Sequence, residues 1–179
     1  MRNARKKKNL PVVSLLGYTN VGKSTLLNKL SEKKDLLVAD KLFSTLDPAT
    51  RSVYLGDNCF CLLTDTVGLL YNLPHHLIGA FKATVEEVIF SDALLLLYDV
   101  STISIERQKE TAFQVIKLLG VEEKPCIEVF NKIDLLSPEE KNILKGNFPE
   151  GIFVSALTGE GLQGLKTKIK EILYGIKVT

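Results

Sequence analysis

Short apolar runs alternate with helix-length amphipathic stretches along most of this chain. Pro11–Leu16 is apolar, too short for a helix, and leads into a glycine-containing loop, which predicts a buried central strand. Lys23–Ser31 then carries helix formers with Leu26, Leu27 and Leu30 on one face. Residues 32–50 have no period and contain Asp47–Pro48, which predicts a long loop of the kind that is usually functional. Arg51–Leu55 and Cys59–Leu63 flank Gly56–Asp57–Asn58 and predict an antiparallel hairpin. Beyond Asp65–Thr66–Val67–Gly68 a second irregular stretch precedes a helix expected over Leu77–Phe90.

The second half repeats the alternation. Ala93–Tyr98 reads as a buried strand, and Ile105–Leu119 as an amphipathic helix stopped by Gly120. Cys126–Phe130 is a further strand. Ser137–Pro138–Glu139–Glu140 has the composition of a capped helix start, with proline at the first helical position. Ile152–Val154 and Leu162–Tyr174 give a last strand and a last helix. Strands alternating with helices predict an α/β fold, a mostly parallel sheet with helices on both faces. Residues 1–10 read as a basic linker or tail, and residues 11–179 as the folded domain.

Composition changes this picture little. With 179 residues, 45% apolar and 25% charged, the chain is that of a globular domain, and a net charge of +2 argues for neither nucleic acid nor membrane. Arg2, Arg5, Lys6, Lys7 and Lys8 cluster without an acid among them, and Asn9–Leu10–Pro11 begins something other than the apolar stretch of a signal peptide. The longest apolar run, Ala93–Tyr98, is too short to span a bilayer. Cys59, Cys61 and Cys126 lack partners at metal-ligand spacing, and the first two alternate on one strand face as small buried hydrophobes do. A cytoplasmic monomer is expected.

Gly17–Tyr18–Thr19–Asn20–Val21–Gly22–Lys23–Ser24 fits the phosphate-loop pattern between a predicted strand and a predicted helix. Backbone N–H groups of such a loop converge on phosphate oxygens, and glycine permits the tight wrap. Lys23 is expected to reach the β- and γ-phosphates and the Ser24 hydroxyl to ligate Mg2+. Asp65 ends the next strand, where a carboxylate holds Mg2+ through water, and the Gly68 N–H can touch the γ-phosphate. By itself Asp-x-x-Gly is more often a turn; its place downstream of a phosphate loop reverses that weighting.

Asn131–Lys132–Ile133–Asp134 follows a strand in the arrangement that selects guanine. A buried Asp134 carboxylate can accept from guanine N1–H and the 2-amino group, and adenine would leave that anion unpaired. Asn131 is expected to bond the base edge and the loop, and the Lys132 stem to pack on the ring. Ser155–Ala156–Leu157 follows the last strand, and its Ala156 N–H could meet the guanine carbonyl. Phosphate-loop kinases share the first pattern and lack the last two.

These residues, with Thr25, Ala39–Asp40–Lys41–Leu42–Phe43–Ser44–Thr45–Leu46–Asp47–Pro48, Leu73–Pro74–His75 and Ala80–Phe81–Lys82–Ala83–Thr84, give a chain that resembles the translation-factor-like GTPases, most closely the HflX family, over residues 11–175. The resemblance implies a P-loop NTPase G domain, a six-stranded sheet with one antiparallel strand. It implies GTP/GDP contacts from Phe43, Ser44, Thr45, Leu46, Asp47, Thr66 and Val67, and a magnesium-ligating Thr45. It further implies hydrolysis aided by Lys23, Thr45 and Gly68, and a large-ribosomal-subunit partner for the parent protein. HflX proteins carry a domain before the G domain, and the basic segment 2–8 is expected to stand where the connection to such a domain would be.

Three residues carry further expectations. Leu69 stands where related enzymes often place a water-orienting glutamine, which predicts slow unassisted turnover, roughly 10⁻⁴ to 10⁻² s⁻¹. The same leucine keeps open a different function, a nucleotide-dependent binding module with negligible hydrolysis. Asn20 reads equally as a K+ ligand near the phosphates or as a residue that tolerates a turn. His75 and His76 read better as a polar switch loop that packs on a partner than as a catalytic pair.

Overall fold

The computed structural model describes residues 10–31, 50–66, 82–102 and 104–175. Among them six strands form one sheet: β1 (Val12–Gly17), β2 (Thr50–Gly56), β3 (Cys59–Asp65), β4 (Ala93–Asp99), β5 (Cys126–Asn131) and β6 (Ile152–Phe153). Their spatial order is β2-β3-β1-β4-β5-β6, with β2 antiparallel to β3 and every other pair parallel. The helices are α1 (Lys23–Leu30), α2 (Lys82–Phe90), α3 (Ile105–Leu118), α4 (Pro138–Asn147) and α5 (Leu162–Tyr174). The part of the expected Leu77–Phe90 helix before Lys82 lies outside the described residues.

Strand β4 explains why the sheet is covered twice. Alternate side chains of a strand point to opposite faces, and here both sets are apolar. Ala93, Leu95 and Leu97 enter one core with Leu26 and Leu30 of α1 and Leu165 and Ile169 of α5. Leu94, Leu96 and Tyr98 enter the other with Val88 of α2 and Ala112, Val115 and Ile116 of α3. All of β4 is buried, so each leucine contributes about 1.5–3 kcal/mol of transfer free energy. Cys59 and Cys61 are buried in the first core, beside Val53 and Leu55.

The apolar runs understate the strands at their functional ends. β1 runs on to Gly17, β4 to Asp99 and β5 to Asn131, each one residue past the last expected position, while β3 runs beyond its apolar run to end at Asp65, as expected. Ladder pairing accounts for the extension: Leu15 pairs with Asp65, Gly17 with Leu97, and Asp99 with Asn131. A polar residue can hold its place at a strand end because its backbone still has a partner. β6 is shorter than expected and stops at Phe153.

Two local predictions are met in detail. Ser137 Oγ accepts from Glu140 N–H, and the Glu140 carboxylate accepts from Ser137 N–H at 2.7 Å, the reciprocal cap of α4. The β2–β3 turn has Asp57 and Asn58 at φ of 50° and 59°, the left-handed region these residues tolerate. It is fastened to α5, where Lys170 Nζ donates to Asp57 Oδ2 at 2.6 Å and the Tyr174 hydroxyl to the Phe60 carbonyl at 2.7 Å.

Candidate nucleotide site

The sheet order reverses at β1, whose neighbours β3 and β4 come from opposite directions of winding. In such sheets ligands lie beyond the carboxyl ends of the strands at the reversal. The loop after β1 occupies that position. It bends through Asn20 at φ of 63° and Gly22 at 103°, and Gly22 caps α1, its carbonyl accepting from Leu26 N–H at 2.8 Å. Gly17 is held tightly too: a Cβ there would stand 2.8 Å from the Leu97 carbonyl and from Val21 Cγ1. At the loop's start the Tyr18 hydroxyl donates to Thr111 Oγ1 of α3 at 2.7 Å.

Lys23, on the first turn of α1, folds back over the loop. Its ammonium donates to the carbonyls of Gly17 at 3.0 Å and Tyr18 at 2.8 Å. Burial pushes its pKa below the usual lysine value, and the nearby Asp65 carboxylate pulls in the opposite direction. Thr19, Asn20, Ser24 and Thr25 are the exposed members of the stretch, and Tyr18 and Gly22 are half-buried. Thr66 is buried, and its hydroxyl donates to the Leu15 carbonyl, holding the segment after β3 against β1.

Ser24 and Asp65 meet at the mouth of the loop, Ser24 Oγ donating to Asp65 Oδ2 at 2.6 Å. The other carboxylate oxygen, Oδ1, is buried and has no hydrogen-bond partner among the described residues. A buried anionic oxygen without a donor is costly unless a cation meets it. A hydroxyl and a carboxylate, both hard oxygen donors, fit Mg2+ in preference to softer metals.

The base motif sits one strand pair away. Asn131 ends β5 and is buried; its Nδ2 donates to the Val21 carbonyl at 2.8 Å and its Oδ1 accepts from Ala156 N–H at 2.9 Å. Both ends of the amide are thereby occupied by protein. The Ala156 N–H, expected to face a guanine carbonyl, is instead paired with Asn131, as a buried backbone donor must find an acceptor. Ser155 is buried, its hydroxyl accepting from Thr158 N–H at 3.1 Å, and Leu157 is exposed.

Asp134 lies in a 3-10 turn over Ile133–Leu135 that the sequence pattern did not signal. The carboxylate is half-buried, not buried as expected, because this single turn rides on the surface with only Ile133 anchored in the core. Among the described residues nothing hydrogen-bonds it, which leaves its acceptor capacity open. Lys132 precedes it at φ of 71°, and its ammonium meets Asp99 Oδ2 at 2.5 Å. Asp99 was not marked from sequence, where the strand was read as ending at Tyr98; an acid closing an otherwise apolar run was the available signal. Phe43, Ser44, Thr45, Leu46, Asp47, Val67, Gly68, Leu69, His75 and His76, and the basic residues Arg2 to Lys8, lie outside the described residues.

Strand ends that gather phosphate-loop, carboxylate and Asn-Lys-x-Asp elements around one sheet reversal are the arrangement of the P-loop GTPases, and the chain has that fold. Residues 12–132 match the family model described as 50S ribosome-binding GTPase. The chain belongs to this family, and within it to the HflX GTPases. It is 43% identical over 179 residues to the GTPase HflX of Lacrimispora saccharolytica, covering 99% of this chain and 42% of that protein. Against the GTPase HflX of Escherichia coli the identity is 39% over 176 residues, 97% of this chain and 41% of that one. The chain thus spans about two fifths of the length of these curated relatives.

Solved structures agree. A GTP-binding protein from the archaeon Sulfolobus solfataricus in complex with GDP superposes with a TM-score of 0.68 at 29% identity, over 96% of this chain and 55% of that one. Era in complex with MgGDPNP and a segment of 16S ribosomal RNA gives 0.66 at 27% identity, over 95% of this chain and 59% of that one. No helix among the described residues is long and apolar enough to cross a membrane.

Proposed function

We propose that this domain binds GTP in preference to ATP, hydrolyses its terminal phosphate slowly when alone, and uses the nucleotide state to govern binding to the large ribosomal subunit. The observation that carries the reading is the Asn131 amide, which ties the Val21 carbonyl to the Ala156 N–H and sets the open Asp134 carboxylate at a fixed offset from the phosphate loop. The Asp134 carboxylate accepts the N1–H and 2-amino hydrogens of guanine, and adenine has neither to offer. Backbone N–H groups from Asn20 to Ser24 take the phosphates, and Lys23 exchanges its loop carbonyls for phosphate oxygens.

Ser24 and Asp65 would hold Mg2+, with Thr45 completing the set by family resemblance. Bound magnesium supplies charge neutralisation at the β- and γ-phosphates. By the same resemblance, Thr45 and Gly68 would act at the γ-phosphate, and Phe43, Ser44, Leu46 and Asp47 would contact the nucleotide. Asn20, at φ of 63°, supports the turn reading of that residue. K+ activation is its other reading; equal turnover in potassium and sodium salts removes it.

Leu69 in place of a water-orienting glutamine favours slow unassisted hydrolysis and also a second function, a nucleotide-gated binding module without turnover. Ribosome binding is supported by the family description and belongs to the whole protein. Titration with GTP, GDP and ATP in magnesium tests the first claim; ATP binding equal to GTP overturns it. Single-turnover phosphate release with and without large ribosomal subunits tests the second. Acceleration supports the regulated GTPase, and no release in either case supports the binding module.

A further inference from the structure

Asp99 is fixed more firmly than the end of a strand requires. Its backbone N–H donates to Gln108 Oε1 at 2.9 Å, and its carbonyl accepts from Gln108 Nε2 at 3.1 Å and Thr102 Oγ1 at 3.0 Å. Oδ1 of the carboxylate accepts from the Ser101 N–H at 2.9 Å and the Ser101 hydroxyl at 2.6 Å. Among the described residues that leaves Oδ2 with one partner, the Lys132 ammonium at 2.5 Å. The two residues start from registered neighbours, since Asp99 of β4 pairs with Asn131 of β5. Lys132 itself leaves the sheet in the left-handed conformation, at φ of 71°.

A lysine side chain has about 2 kcal/mol of rotamer entropy to lose when it is ordered. Here the ordering is done by the protein, because a carboxylate with its own rotation blocked by two Ser101 donors takes the ammonium. With its ammonium held by Asp99 at the β4 end and its backbone held between Asn131 and Asp134, the aliphatic stem of Lys132 is tied at both ends beside the base motif. Such a stem is a flat apolar platform suited to the face of a base.

We infer that Asp99 is a positioning residue for nucleotide binding, acting through Lys132: the Asp99–Lys132 pair pre-orders the platform on which the guanine ring lies. This rests on the guanine reading of the site. Asp99 touches neither base nor phosphate in this role, so it alters affinity and leaves the choice of base to Asp134.

A double-mutant cycle on GDP and GTP affinity tests it, with Asp99→Asn, Lys132→Ala and the two combined, each checked by thermal unfolding. Asparagine at 99 retains an oxygen for the Ser101 donors and removes the charge. The expected result is about three- to tenfold weaker binding for Asp99→Asn with the Lys132 stem present, and no further loss from it in the Lys132→Ala chain. Ser101→Ala, which loosens the carboxylate and spares β4, should give a smaller loss that also vanishes with Lys132→Ala. Losses that add in the double variant overturn the inference, since Asp99 then acts on stability alone. Failure of the unaltered chain to bind guanine nucleotides overturns the guanine reading itself and is seen before any variant is made.

Discussion

A Cβ on Gly22 would stand 2.4 Å from Nδ2 of Asn131, so the phosphate loop and the base motif touch at a point that admits no side chain. The contact exists because Asn131 reaches across to the Val21 carbonyl, the residue before Gly22. Gly22 also holds φ of 103°, a conformation that L residues rarely adopt.

Gly22→Ala therefore meets two obstacles at once. Backbone strain at such a position costs on the order of 1–3 kcal/mol, and Asn131 must additionally give up its bond to the loop or displace it. Thermal unfolding should show a loss of at least that size, and titration a large fall in GTP affinity. Native-like affinity in Gly22→Ala would mean that the loop and the base motif are set independently.

Asp134→Asn should change which base is preferred. Asparagine presents one carbonyl acceptor and one amide donor where aspartate presents two acceptors. Guanine needs both acceptors; xanthine, with N1–H and a 2-oxo group, needs one of each. GTP binding should fall on the order of 10²- to 10⁴-fold while XTP binding rises, a reversal read by parallel titrations. An equal loss for both nucleotides would remove Asp134 from the base site.

How much of this was legible beforehand divides along a physical line. β4 was readable because seven residues buried on both faces must be almost continuously apolar. The α4 start was readable because its cap is local, four residues that satisfy one another. The phosphate loop and Asn131–Asp134 were readable as spacing. The partners of those residues were not: Asn131 is 110 positions from Val21 and Lys132 is 33 from Asp99, and nothing local encodes such meetings. Asp99 was passed over for that reason. The exposure of Asp134 was misjudged because spacing identifies a residue's chemistry and says little about how deep its turn lies.

The Asp99 carboxylate should also leave a mark on acid stability. Burial would raise its pKa, but the hydrogen bonds from Lys132 and Ser101 outweigh burial and hold it below the ordinary 3.8. A carboxyl depressed in the folded state stabilises the fold above its unfolded value and loses that contribution as pH falls through the folded one. The melting-temperature gap between the native chain and Asp99→Asn should therefore be full at neutral pH and should close as pH drops below 3.8. A gap that does not change with pH would assign the effect to shape alone.

Ser24 and Asp65 offer a test of the metal that does not depend on turnover. Their 2.6 Å hydrogen bond leaves Asp65 Oδ1 buried and unpaired among the described residues, an anion placed near the expected phosphates. With magnesium that charge is an asset; without it, the carboxylate repels a triphosphate. Asp65→Asn should accordingly weaken GTP binding in magnesium, yet leave it unchanged or stronger in excess chelator. The ratio of the two affinities, large for the native chain, should collapse toward one. Because the ratio is taken within one protein, a general loss of stability cancels from it. A ratio in Asp65→Asn equal to that of the native chain would place the metal on other residues.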